Sequence, residues 1–162
     1  MREFVIERTA ASAALSSNER LVLWGMRAWM AGVKAEVAVT DALARTFADL
    51  GAEAAVPTLD STMALLHAAG VNVFHHPWCR CLGDEERLLL DVLAQHQRGE
   101  DGAALFLTRL LLPPSGARLL GPGLHALAMA LLACGVRLTG GRTRSMPGTG
   151  LAHWAPSTMT LQ

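Results

Sequence analysis

Tyrosine is missing from this sequence, and all aromatic residues together make up 5% of it. Sheets draw on aromatic and β-branched side chains, whereas alanine and leucine, which dominate here, favour helices. Charge is scarce too: 17% of residues are charged against 51% hydrophobic. That balance excludes disorder for most of the chain. It also leaves more apolar surface than one small domain easily hides, so a homo-oligomer, or a face for a protein partner, is expected. Cysteine is limited to three, an odd number that suits a reducing cytoplasm better than a disulfide scaffold. No secretory h-region is legible at the start, where Glu3 and Glu7 interrupt the apolar residues. We therefore expect a cytoplasmic protein.

Acidic residues are absent beyond Asp101. Residues 1–101 carry nine basic and fourteen acidic side chains, whereas the remainder carries Arg109, Arg118, Arg137, Arg142 and Arg144 alone. Such halves attract each other, or attract across a dimer. A nucleic-acid partner for the basic end is the sharper alternative, and five scattered arginines make a weak footprint for it. The most apolar run, Leu119 to Val136, contains Gly121-Pro122-Gly123 and His125. It reads as a buried core helix rather than a membrane span.

Several catalytic signatures are also missing: a P-loop, a Rossmann glycine fingerprint, His-Glu-x-x-His, Gly-x-Ser-x-Gly, and the Glu-x-x-His of di-iron bundles. No internal repeat or useful heptad run is present. A length of 162 residues fits one domain with a core of its own.

What is there is a succession of helical patterns. Ser16 and Glu19 have capping-box spacing, and Leu21, Trp24, Met26 and Trp29 give the helix after them a wide apolar face. Whether that helix continues through Glu36-Val37-Ala38-Val39 is left open. A second helix is expected from Thr40-Asp41, with Leu43, Phe47 and Leu50 inward, and a third over Pro57–Ala69. Asp84 is the expected N-cap of a fourth, which runs to Arg98. A fifth follows over Glu100–Leu112 until Pro113-Pro114 stops it. Ser115 is the expected cap of the next segment, which Gly121-Pro122-Gly123 is expected to break or kink before a final apolar helix from Leu124. Gly51, Gly70, Gly99 and Gly135 stand where helices should end. The expectation is about six helices in a bundle-like or orthogonal array: a single domain over residues 1–138, with residues 1–15 as a candidate arm and 139–162 as an irregular tail.

Chemistry concentrates in His75-His76-Pro77-Trp78-Cys79-Arg80-Cys81, followed by Asp84-Glu85-Glu86. Thiolate and imidazole suit zinc or another transition metal, so Cys79, Cys81, His75 and His76 form the candidate metal set. A second ligand pair distant in sequence is missing; Cys134, His96, His125 or His153 are candidates to complete it. A bond between Cys79 and Cys81 would close a very small, strained ring, which makes it a redox idea rather than a structural one. Cys81 precedes a helix N-terminus, where a thiol's pKa is lowered. Glu85 and Glu86 are candidate ligands or bases, although their place in a helix's first turn already explains them. The bland alternative is packing, with both cysteines buried under Trp78.

Together these features favour a non-catalytic cytoplasmic interaction or regulatory protein, with the His/Cys loop as a pin between two halves. A metal- or thiol-dependent enzyme or sensor using Cys79 and Cys81 is the alternative.

Overall fold

The structure is a computed structural model that describes residues 15–141. Residues 1–14 of the candidate arm and 142–162 of the candidate tail, and with them His153, Arg142 and Arg144, lie outside the described residues. Among the described residues six α-helices form: α1 (Ser17–Ala35), α2 (Thr40–Ala48), α3 (Val56–Ala68), α4 (Asp84–Gln97), α5 (Asp101–Leu111) and α6 (Pro114–Ala133). A single 3-10 turn, Glu53–Ala55, leads into α3, and no strand forms among the described residues. The protein is all-α, as its composition requires.

α4 packs most extensively on α5 and α6, α6 reaches back to α3, and α1 touches α2, α3 and α4. Leu89, Leu90 and Leu93 of α4 are fully buried in the core. Each such side chain stabilises the fold by about 1.5–3 kcal/mol. The α1 stripe buries Leu23, Met26 and Met30. Gly25 lets α1 approach closely, since a Cβ there would stand 2.9 Å from the Phe47 ring and 3.2 Å from Leu59.

Helix ends follow from the residues placed there. Ser16 and Glu19 form the expected capping box at α1. α1 stops at Glu36, whose φ of 55° is left-handed, and the Val37 N–H then closes on the Gly32 carbonyl. The following segment is therefore a break and not a continuation. α4 ends at Gly99 (φ 76°), where the Gly99 and Glu100 N–H groups donate to the carbonyls of His96 and Gln95. This Schellman closure requires a left-handed residue that glycine adopts without strain. α2, α3 and α6 end in the same way.

Four sequence expectations need correction. Leu50 is 58% exposed, because α2 ends at Ala48 and never brings it inward. Asp84 is the first residue of α4 and not its cap; Gly83 is the cap residue, and its N–H donates to Glu86. Ser115 does not cap α6, which starts at Pro114, a position where the lost N–H has no helical partner anyway. Of the break or kink expected at Gly121-Pro122-Gly123, the break does not form, and α6 runs through Pro122. Pro122 faces outward with Arg118, so the carbonyl it leaves without a partner opens to water. α6 is the one described helix long and apolar enough to cross a membrane by length and composition. Here its buried stripe of Leu120, Leu124, Leu127 and Leu131 packs on its neighbours, while Leu119 and Met129 face outward.

Candidate functional site

The His/Cys stretch lies in the loop between α3 and α4. That loop is built on two charged residues from the helices beneath it. Arg27 lies on the apolar stripe of α1, 3% exposed, and Glu86 in the first turn of α4 is fully buried. Arg27 Nε and Nη2 each donate to Glu86 at 2.7 Å. The rest of the guanidinium serves the loop: Nη1 donates to the Cys79 carbonyl at 2.8 Å and Nη2 to the Cys81 carbonyl at 2.7 Å. Glu86 also accepts from the backbone N–H groups of His75 (3.0 Å) and Gly83 (2.8 Å), and His75 Nδ1 lies 3.0 Å from Oε2. A Cβ at Gly83 would stand 2.9 Å from the His75 ring, so a larger residue there would push that ring aside. Burial alone would push the Glu86 carboxyl up. Arg27 and the surrounding N–H donors outweigh it and hold the carboxyl at about 2.

Cys79 and Cys81 are joined to each other as a disulfide. Their sulfurs are thus paired together instead of being presented to an ion. Both residues are half-buried and solvent reaches them from two sides. A hollow of about 410 Å³ beside Cys81 is lined by His75, Asp84 and Glu85. Another of about 410 Å³ beside Cys79 is lined by Arg20, Arg27 and Arg80. Trp78 does not cover the pair; it is 78% exposed. His76 is exposed and accepts the Trp78 N–H at 3.3 Å. Cys134 is a free thiol at the C-cap of α6, packed against the core. Of the residues singled out from sequence, the loop therefore gathers His75, Cys79, Cys81, Glu85 and Glu86, and Cys134 belongs to another part of the body.

Sequence reasoning missed Arg27. Its signal was available, since it sits in line with Leu23 and Met30, an apolar position for a charge. Sequence reasoning named His96 and His125 only as donors to complete the loop's set, and missed that they meet Asp101 in a cluster of their own. His96 in the last turn of α4, Asp101 at the start of α5 and His125 in α6 bring three donor atoms together in an arrangement that could hold a metal ion. His96 Nδ1 lies 2.9 Å from Asp101 Oδ1, and His125 Nδ1 lies 3.4 Å from His96 Nδ1 and 3.5 Å from Asp101 Oδ1. His96 contact holds the Asp101 carboxyl below its ordinary range.

A third polar cluster fastens the segment after α6. Glu19, 1% exposed, accepts from Ser16 N–H at one oxygen and from Thr139 Oγ1 (2.9 Å) and Gly140 N–H (3.0 Å) at the other. Gln97 donates to the Val136 carbonyl and accepts the Leu138 N–H.

Comparison with known protein families, with characterised proteins and with solved structures found no match.

Proposed function

We propose that this chain is a non-catalytic regulatory protein that responds to thiol–disulfide balance through Cys79 and Cys81. One observation carries the reading: the carbonyls of the two bonded cysteines are both acceptors of the buried Arg27 guanidinium. Opening the ring gives the loop backbone freedom that Arg27, bound on its other edge to Glu86, then feels. The chemistry is ordinary exchange. One small thiol attacks a sulfur of the pair and forms a mixed disulfide, and the other cysteine leaves as thiolate. A second thiol then resolves the mixed disulfide and departs as the small-molecule disulfide. Two electrons and two protons have entered the protein.

The surroundings favour Cys79 as the leaving sulfur. Arg20, Arg27 and Arg80 line its side, and the Cys81 N–H lies 3.3 Å from its Sγ, whereas Asp84 and Glu85 flank the hollow beside Cys81. Trp78 is the large apolar side chain that rides on this loop, and its exposure suits contact with a partner. Phe106, Leu110 and Leu119, each more than 60% exposed, support self-association as the setting. The cytoplasm, with its thiol pool, is the compartment in which such a pair would cycle. Zinc or another transition ion would meet the loop sulfurs only in the reduced form.

The test is a titration across glutathione buffers, with free thiols trapped by alkylation and weighed by mass spectrometry. We expect Cys79 and Cys81 to gain and lose two alkyl groups together and reversibly, with a change in oligomer size or Trp78 emission along the same curve. Two permanently alkylatable thiols, or a bond that no thiol buffer opens, would overturn the reading.

A further inference from the structure

The geometry points to a binding site for a divalent transition ion of the zinc class on His96, Asp101 and His125, at the corner where α4 turns into α5 and faces α6. This site is independent of the loop cysteines. Its three donor atoms form a triangle with sides of 2.9, 3.4 and 3.5 Å. Zinc bonds of about 2.0–2.1 Å in tetrahedral geometry require donors about 3.3–3.4 Å apart. The triangle has a circumradius of about 1.9 Å, so an ion at zinc distances would stand about 0.8 Å out of its plane. That leaves the fourth tetrahedral direction free.

The donors are also the right kind. Two imidazoles and a carboxylate are the ligand types of three-ligand zinc sites, which hold a water in the fourth place. Nδ1 of His96 and Nδ1 of His125 both face Asp101 Oδ1, so the atoms that meet in the metal-free chain are the ones an ion would take. The positions are fixed in advance. His96 is 7% exposed in the last helical turn, held by the Gly99 closure, and Asp101 begins α5. Its two partners are open, with side chains 48% exposed at His125 and 67% at Asp101, so an ion can enter from solvent. Once seated, it would bolt the α4–α5 corner to α6.

The experiment uses the full-length chain with its disulfide oxidised, metal-stripped and titrated with zinc(II) against a chromogenic chelator. We expect one tight equivalent, a rise in melting midpoint with zinc, and visible cobalt(II) bands of the four-coordinate type. His125→Ala and Asp101→Asn should each weaken zinc by at least about 10-fold, since loss of a mere supporting partner already costs about that much. His67→Ala, which alters an exposed histidine elsewhere, should change nothing. Absence of tight zinc in the wild type overturns the inference. So does unchanged affinity in His125→Ala, or loss of affinity in His76→Ala instead. Should His125→Ala fail to fold by circular dichroism, the exposed Asp101→Asn decides alone.

Discussion

The loop at 75–83 and the corner at 96–101 use similar side chains in opposite ways. In the loop, the polar groups are consumed by one another: Arg27 by Glu86 and two carbonyls, Glu86 by three backbone or ring partners, each cysteine by the other. In the corner, three donors converge on a space open to solvent, and no buried counter-charge holds them. A charge placed in the core must be answered in full, because a partly answered one costs several kcal/mol. A cluster at the surface carries no such obligation. Richness in chemically capable residues is therefore a poor guide to where a ligand is free to bind.

Removing one partner from the buried pair should have the largest effect. Glu86→Gln or Arg27→Met should lose about 3–5 kcal/mol in urea unfolding, because each strands the other residue in the core. A loss below about 1 kcal/mol would erase the contrast between the two regions. Acid should have the next largest effect. Glu86 is held at about 2 in the folded chain against an ordinary value of 4.5. Its contribution is therefore complete above about pH 4.5 and lost as pH falls through about 2. It amounts to about 3 kcal/mol over that window. Unfolding free energies measured from pH 5 to pH 2 should show this slope, and Glu86→Gln should flatten it.

The disulfide itself should matter less than the pair beneath it. Cys79→Ser/Cys81→Ser should lose less than about 2 kcal/mol, because so short a loop restricts the unfolded chain little. A larger loss would mean that the bond, and not Arg27, holds the loop. Smallest of all, metal-free His125→Ala should stay within about 0.5 kcal/mol of the wild type, as a change at a half-exposed side chain should. A clear loss there would show that the corner is closed upon itself much as the loop is.

Helix existence was legible wherever a local signal decided it. The capping box at Ser16 and Glu19, the glycines that close four helices, and the proline stop after α5 needed no tertiary information. Misreadings arose where the answer depended on which side of a helix faces water. Pro122 is tolerated because it points outward, and Leu50 is exposed because its helix ends too early. The site was half legible. The Cys-x-Cys spacing announced itself, but the residues that govern it lie 59 positions apart, on α1 and α4. His96 and Asp101 match no familiar ligand spacing, and only the turn at Gly99 brings them together. His125 joins them across 29 positions, through helix packing that no sequence window contains.

Through Glu19 and Asn18, the first turn of α1 grips Arg137, Thr139 and Gly140. The body's first and last described segments thus run side by side. Labels attached at Asn18 and Arg137 would report on one spot of the surface rather than on two.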